Sequence, residues 1–206
     1  MEVLEEKAIL GTNPRIKWLL TASSLAWLNQ AIANPIEVLI DHANCERKAA
    51  GVAVQLMFRY ICDPGLAEVL SPLAREELEH FERVIVILRS RGRYLEPLAA
   101  PPYAALLAKN VRKEEPKRML DSFLVSGLIE ARSHERMALL ALHSPDCELR
   151  NLYKDLLKSE ARHSCIYWNL AKDRFEKEII LKRLKELSNI ESNILSKLHP
   201  QPRIHS

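Results

Sequence analysis

Glu77 and His80, and again Glu160 and His163, form Glu-x-x-His pairs 83 residues apart. A lone glutamate precedes each pair: Glu46 stands 31 residues before Glu77, and Glu130 stands 30 before Glu160. Residues three apart on a helix lie side by side, so each pair can offer one carboxylate and one imidazole to a single ion. Four carboxylates and two imidazoles from four helical stretches are the donor set of a carboxylate-bridged di-iron site in a four-helix bundle. Hard oxygen donors with one imidazole per ion suit iron or manganese better than zinc, which takes fewer and softer ligands. Positions left open on such ions accept water or dioxygen. The chemistry in prospect is redox chemistry at a metal.

Four elements must position these groups. A helix is predicted from about Ile36 to Tyr60, following Pro35, and a second from about Pro64 to Arg91, with Asp63 as its cap and Gly92 as its stop. A third runs from about Pro116 to Leu142, and a fourth from about Cys147 to Lys172 after Ser144-Pro145-Asp146. The first helix carries the stripe Leu39, His42, Glu46, Ala49, Ala53, Leu56, Tyr60, and the second Leu66, Leu70, Leu73, Glu77, His80, Val84, Leu88. The third gives Leu120, Phe123, Gly127, Glu130, His134, Met137, Ala141, and the fourth Leu149, Tyr153, Leu156, Glu160, His163, Tyr167, Leu170. In each helix the Glu, or the Glu-x-x-His pair, replaces an apolar residue midway along the stripe. An unpartnered buried carboxylate costs several kcal/mol or protonates, so four of them at mid-stripe argue for cations that neutralise them.

Short links within each helix pair predict antiparallel hairpins. Residues 92–114 are different: Pro97, Pro101 and Pro102 break any long helix, and Tyr94, Leu95, Leu98 and Tyr103 suggest a strap on the surface. Two hairpins joined by one long crossover define an all-α, ferritin-like four-helix bundle. The hairpins Glu46–His80 and Glu130–His163 also look like weak internal repeats, and a duplicated hairpin would give two equivalent half-sites. Residues 1–34, with Pro14 and apolar Trp18, Leu19, Leu20, Leu25, Trp27 and Leu28, form a lead that packs on this body. A charged helical segment, about Arg174 to Leu198, follows the bundle and ends in a polar tail with Pro200 and Pro202.

Composition agrees. The 206 residues suit a single domain spanning 1–206, and 5 glycines with abundant Leu, Ala, Glu, Lys and Arg favour helix. A net charge of +3 permits an acidic partner without arguing for one. Cys45, Cys62, Cys147 and Cys165 form no Cys-x-x-Cys, which leaves a zinc ribbon or rubredoxin-like site unsupported. The acidic Met1–Lys7 segment has no apolar stretch of signal-peptide type, and no run of about 18 apolar residues exists, so a cytoplasmic protein with no membrane span is expected.

Other polar residues have plainer readings. Glu76 and Glu79 fall off the stripe and read as solvated or intersubunit charges. His42 and His134, one turn from Glu46 and Glu130, read as core histidines bonded to a carbonyl, or as outer partners of the ligand glutamates. Tyr153, Tyr167, Trp18, Trp27 and Trp168 read as packing, and Cys45 as a small buried residue.

Four segments carry a family resemblance: Asp41-His42-Ala43-Asn44-Cys45-Glu46-Arg47-Lys48-Ala49-Ala50, Glu76-Glu77-Leu78-Glu79-His80-Phe81, Glu130-Ala131-Arg132-Ser133-His134-Glu135-Arg136, and Ser159-Glu160-Ala161-Arg162-His163. With Trp18–Ala22 and Asn34-Pro35, they resemble the MiaE family of bacterial tRNA hydroxylases, over about residues 10–190. Residues beyond about 175 carry no matching motif. The resemblance implies two iron ions held by Glu46, Glu77, His80, Glu130, Glu160 and His163, with dioxygen as co-substrate. The implied reaction hydroxylates the isopentenyl group of 2-methylthio-isopentenyl-adenosine in tRNA. No flavin or nicotinamide motif occurs, so a ferredoxin or reductase would supply electrons. A tRNA substrate needs a docking surface. Arg89, Arg91 and Arg93, with Lys109, Arg112, Lys113, Lys117 and Arg118, are the best basic concentration, and Arg91, Arg93, Lys113 and Lys117 are its candidate contacts. Iron storage in a ferritin-like cage, a di-iron oxygenase or oxidase of a small apolar molecule such as a fatty aldehyde, and a metal-free helical scaffold remain the rival readings.

Overall fold

The computed structural model describes residues 18–205, and among these every regular element is a helix. Pro14 and the acidic N-terminal segment lie outside the described residues. The helices are α1 (Leu25–Ala33), α2 (Pro35–Arg59), α3 (Pro64–Ser90), α4 (Tyr103–Ala108), α5 (Lys117–His143), α6 (Cys147–Lys172) and α7 (Lys177–Ile194). They group into two compact units, one covering Asn34–Pro101 and the other the segments up to Ala33 and from Pro102 onward.

The Asn34–Pro101 unit is the α2–α3 hairpin. Pro35 occupies the first turn of α2 and Pro64 that of α3, where a missing N–H removes nothing from the helix. Asp63 takes the N-cap position expected of it, but its side chain makes no capping hydrogen bond. The other end of α3 is fully capped. Gly92 has φ 67°, its N–H donates to Arg89 O at 3.0 Å, and Arg93 N–H donates to Leu88 O at 2.9 Å. This is a Schellman turn, and it needs a residue that tolerates the left-handed region. The stripe expected for α3 is buried along its whole length, from Leu66 to Leu88.

The second unit is built on the α5–α6 hairpin. Asp146 caps α6 by accepting from Glu148 N–H and Leu149 N–H, at 3.0 and 3.1 Å. Gly127, mid-stripe on α5, lies under Trp18: a Cβ there would stand 2.0 Å from the indole ring. Trp18 meets Trp168 edge-on at 5.9 Å between centroids, which accounts for two of the three tryptophans as packing. The third, Trp27 of α1, is buried, and its indole N–H donates to Arg203 O at 3.0 Å.

Tyr103 corrects an expectation. It is not part of a surface strap but a buried residue of the short helix α4, with its hydroxyl 3.2 Å from Glu191 Oε1. Glu191 also accepts from Arg132 Nε and Nη2 at 2.8 and 3.0 Å, a bidentate pair with both side chains essentially inaccessible. Arg132 Nη1 reaches Glu135 at 2.8 Å, and Glu135 accepts from Ser23 N–H and Oγ–H at 2.6 and 2.7 Å. Arg136 donates to Ser23 Oγ at 2.9 Å and to Ile204 O, and its guanidinium lies 4.4 Å from the centre of the Trp27 ring. Burial lowers the proton affinity of Arg132, but Glu191 and Glu135 raise it further, so the net shift is upward. The supposed polar tail is thus partly buried, with Arg203, Ile204 and His205 held inside.

A second ion cluster fixes the approach to α5. Buried Asp121 accepts from Arg112 at 2.6 Å and from Arg183 of α7 at 2.9 Å. Burial raises the Asp121 carboxyl pKa, but hydrogen bonds from both guanidiniums outweigh it and hold it below the usual value. Arg112 therefore serves the fold, not the basic surface of which it was expected to be part.

Replacing Glu191 with Ala leaves Arg132 buried and is expected to cost about 3–5 kcal/mol in urea unfolding, whereas Arg132→Met with Glu191→Leu should cost much less. Asp121 stabilises the fold above the unfolded carboxyl pKa of about 3.9, and that contribution fades as pH falls through its lower folded value. The stability difference between the wild type and Asp121→Asn is therefore expected to shrink below about pH 4, as read by unfolding at stepped pH.

Candidate metal centre

Each unit carries its own half of the predicted donor set. In the α2–α3 hairpin, the helical period brings Glu46, Glu77 and His80 onto facing stripes, all three buried. His80 Nδ1 stands 3.5 Å from Glu46 Oε2 and 3.7 Å from Glu77 Oε2, and one ligand atom of each residue lies within 4.8 Å of the others. In the α5–α6 hairpin, His163 Nδ1 stands 3.9 Å from Glu160 Oε1, and a ligand atom of Glu130 lies within 4.8 Å of one on His163. None of the four glutamates is more than 5% exposed.

These separations exceed the roughly 2.7–3.2 Å of a good N–H···O hydrogen bond. Two donors bound to one ion at about 2.0–2.2 Å stand about 3–4 Å apart, according to the angle between them, so the spacing suits ligands arranged around a shared cation. Two carboxylates and one imidazole per unit form a hard, anionic set. Such a set in an apolar stripe fits a divalent metal, and the buried Glu/His clusters are compatible with a metal site.

His42 is fully buried on α2, with Nε2 2.5 Å from Glu46 Oε1, so it holds the glutamate that the sequence marks as a ligand. His134 of α5 is half-buried, and its Nδ1 has no hydrogen-bond partner among the described residues. Burial holds the His134 imidazole below its usual pKa, although Glu160 and Glu135 pull it upward. Cys45 is half-buried, and its thiol faces Asp41 Oδ2 at 3.8 Å. Burial first, and the Asp41 charge second, push that thiol pKa up, which makes it a poor nucleophile. Buried Asp41 was not singled out from sequence. Its position one turn before Cys45, on the side of α2 that includes His42, was the available signal.

The basic candidates are more scattered. Arg91 and Arg93 lie at the C-terminal end of α3, and Arg93 bridges to Glu96 at 2.9 Å. Lys113 and Lys117 are exposed at the start of α5. Among the described residues, no helix is long and apolar enough to cross a membrane.

A family model described as tRNA-(MS[2]IO[6]A)-hydroxylase (MiaE) matches residues 10–206. The chain belongs to this family. The MiaE match extends through the C-terminal residues in which the sequence alone offered no motif, the stretch that includes Glu191 and the buried tail. A tRNA 2-(methylsulfanyl)-N(6)-isopentenyladenosine(37) hydroxylase from Pseudomonas putida is 40% identical over 181 residues, covering 88% of both chains. Its counterpart from Salmonella typhimurium is 28% identical over 243 residues, covering 94% of this chain and 89% of that one. A solved structure described as "Protein 43 with aldehyde deformylating oxygenase activity from Synechococcus" is 62% identical, with a TM-score of 0.91, covering 93% of this chain and 96% of that one. The all-α, ferritin-like class expected from the sequence is the class found.

Adding manganese(II) to metal-free protein should raise its melting temperature, with a gain of about 2.7 kcal/mol when the free ion is a hundredfold above its Kd. Glu77→Ala and Glu160→Ala should each fold, since removal of one buried carboxylate also relieves like-charge crowding, and should show a much smaller shift. An undiminished shift in both variants, measured by calorimetry, would remove these residues from the metal site.

Proposed function

We propose that this MiaE-family chain is a tRNA hydroxylase that adds oxygen to the isopentenyl side chain of 2-methylthio-isopentenyl-adenosine. The observation that carries this reading is the buried Glu-Glu-His half-set in each hairpin, within a chain that matches the family from residue 10 to 206. Each unit holds only three donors, so both half-sets belong to one functional domain over 1–206. Glu46, Glu77, His80, Glu130, Glu160 and His163 together hold two iron ions. With iron bound, the centre supplies reduction of dioxygen and removal of a hydrogen atom from an allylic C–H bond.

The protein's own contribution is binding, orientation and exclusion of water. His42 fixes one carboxylate oxygen of Glu46, limiting the ways that ligand can turn. Leu73 and Val84 on α3, and Leu156 and Tyr167 on α6, flank the donors along each stripe and keep them dry. The overall reaction consumes one dioxygen, two electrons and two protons, and yields the alcohol and one water. The electrons come from an external ferredoxin or reductase, and the cytoplasm, where tRNA is, is the place of action. Arg91, Arg93, Lys113 and Lys117 serve as phosphate contacts for the RNA.

A second reading has its own support. The 62% identical structure is described by aldehyde deformylating oxygenase activity, a reading in which the donor set of this chain would serve a small apolar substrate. The two readings separate cleanly in one experiment. Mass spectrometry of tRNA nucleosides from cells lacking this gene should show the unhydroxylated nucleoside in place of its alcohol, and Glu160→Ala should not restore it. If the nucleosides are unchanged and the purified iron-loaded protein converts a long-chain aldehyde, the second reading replaces the first. Joint charge reversal at Arg91, Arg93, Lys113 and Lys117 should weaken tRNA binding and flatten its salt dependence by about 0.7 in log–log slope per lost phosphate contact, as read by filter binding.

A further inference from the structure

Beyond the end of α3, the Schellman turn at Gly92 reverses the chain and lays Arg93, Tyr94 and Leu95 back against the last turns of the helix. A cavity of about 260 Å³ results, lined by Ile85, Leu88, Arg89, Arg93, Tyr94 and Leu95. Tyr94 is 69% exposed, although a tyrosine is a large apolar body, and no partner among the described residues covers it. Arg89 is exposed and makes no side-chain hydrogen bond or ion pair among the described residues. Arg93 is held beside Tyr94 by Glu96 at 2.9 Å, which orients its guanidinium while leaving other N–H donors available.

We propose that this cavity is a subsite for one unstacked nucleotide of a single-stranded RNA loop, with Tyr94 stacking on the base and Arg89 and Arg93 contacting its phosphates. The inference rests on the tRNA reading above and adds to it a place and a mode of binding. An aromatic face beside an unneutralised guanidinium is the pairing that single-stranded nucleic acid requires, because every base has a π-face and every linkage a negative charge. The volume is below the roughly 300–1,000 Å³ of sites that enclose a drug-sized ligand, so it suits one planar ring with the rest of the polymer outside. Charge decides against a plain apolar occupant: the free cation at Arg89 complements a phosphate. Duplex RNA does not offer its base faces, so the occupant must be unpaired.

The test uses the full-length protein and a fluorescently labelled anticodon stem-loop RNA, with the same strand annealed into a continuous duplex as the control. Tyr94→Ala should weaken stem-loop binding by about five- to a hundredfold, the range for loss of one stacked base, while Tyr94→Phe stays near wild type. Arg89→Ala should weaken binding and lower the salt slope by about 0.7, as expected for one phosphate on a single strand. Neither variant should shift the thermal melting temperature appreciably, since both side chains are exposed. Wild-type binding to the stem-loop with no change in Tyr94→Ala overturns the subsite and leaves the tRNA reading intact. An equal loss on stem-loop and duplex overturns the stacking role, since the duplex presents no free base. Failure of the wild type to bind the stem-loop at all overturns both the subsite and the tRNA reading.

Discussion

Charge buried in an apolar seam is the constraint on which the molecule turns. Glu46 and Glu77 in one hairpin, and Glu130 and Glu160 in the other, occupy positions where the helical repeat calls for leucine or alanine. A carboxylate at such a place cannot be left alone, because its desolvation costs more than a well-packed helix pair can readily offset. The seams are otherwise well filled, with Leu66, Leu70, Leu73, Val84 and Leu88 all inaccessible on α3. The hairpins thus supply rigidity, and the glutamates, with His80 and His163, concentrate a demand for cations at mid-seam. Such an arrangement is compatible with a bound metal ion.

The second hairpin shows how the same physical problem is solved when no ion is involved. Arg132 and Arg136 are buried beside the glutamate seam, and each is satisfied by partners brought from distant parts of the chain. Arg132 takes Glu191 from α7, Glu135 from its own helix and Thr21 O from the lead, and Arg136 takes Ser23 and Ile204 O. One side of α5 therefore organises the N-terminal lead, α4, α7 and the C-terminal tail, and the other side presents Glu130 to His163 of α6. Planar guanidiniums suit this work, because their five donors can be shared among several acceptors without loss of charge.

The family is one of hydroxylases and the buried Glu/His clusters are compatible with a metal site, while the printed descriptions of the relatives differ in substrate. A tRNA hydroxylase and an aldehyde oxygenase can share one donor set, since the ligands govern the oxidant and not the substrate. Substrate choice then belongs to features outside the seam. The segment beyond the Gly92 turn, with Tyr94 exposed and Arg89 unengaged, is a feature of that kind: the turn caps α3, and these two side chains add nothing to the cap.

How much was legible in the sequence follows from how local each signal is. Helices α2, α3, α5 and α6 were readable to within one or two residues, because prolines, Asp146 and Gly92 punctuate them and the helical repeat keeps its register between. Glu46, Glu77, Glu130 and Glu160 stood out because a charge within that repeat violates a rule that depends only on neighbours three and four residues away. Tyr103, Glu191, Arg132, Glu135 and Arg203 were not legible. Tyr103, Glu191 and Arg203 looked like parts of a surface strap, a charged helix and a polar tail. Arg132 and Glu135 stood in a family motif that names no partner for them, and only the folded chain brings Tyr103 to Glu191, 88 residues on. By itself the sequence determined the helices, the buried stripes and the glutamates and histidines that interrupt them. Tertiary structure alone decided which charges become partners, because a long-range ion pair leaves no periodic trace in either of the segments it joins.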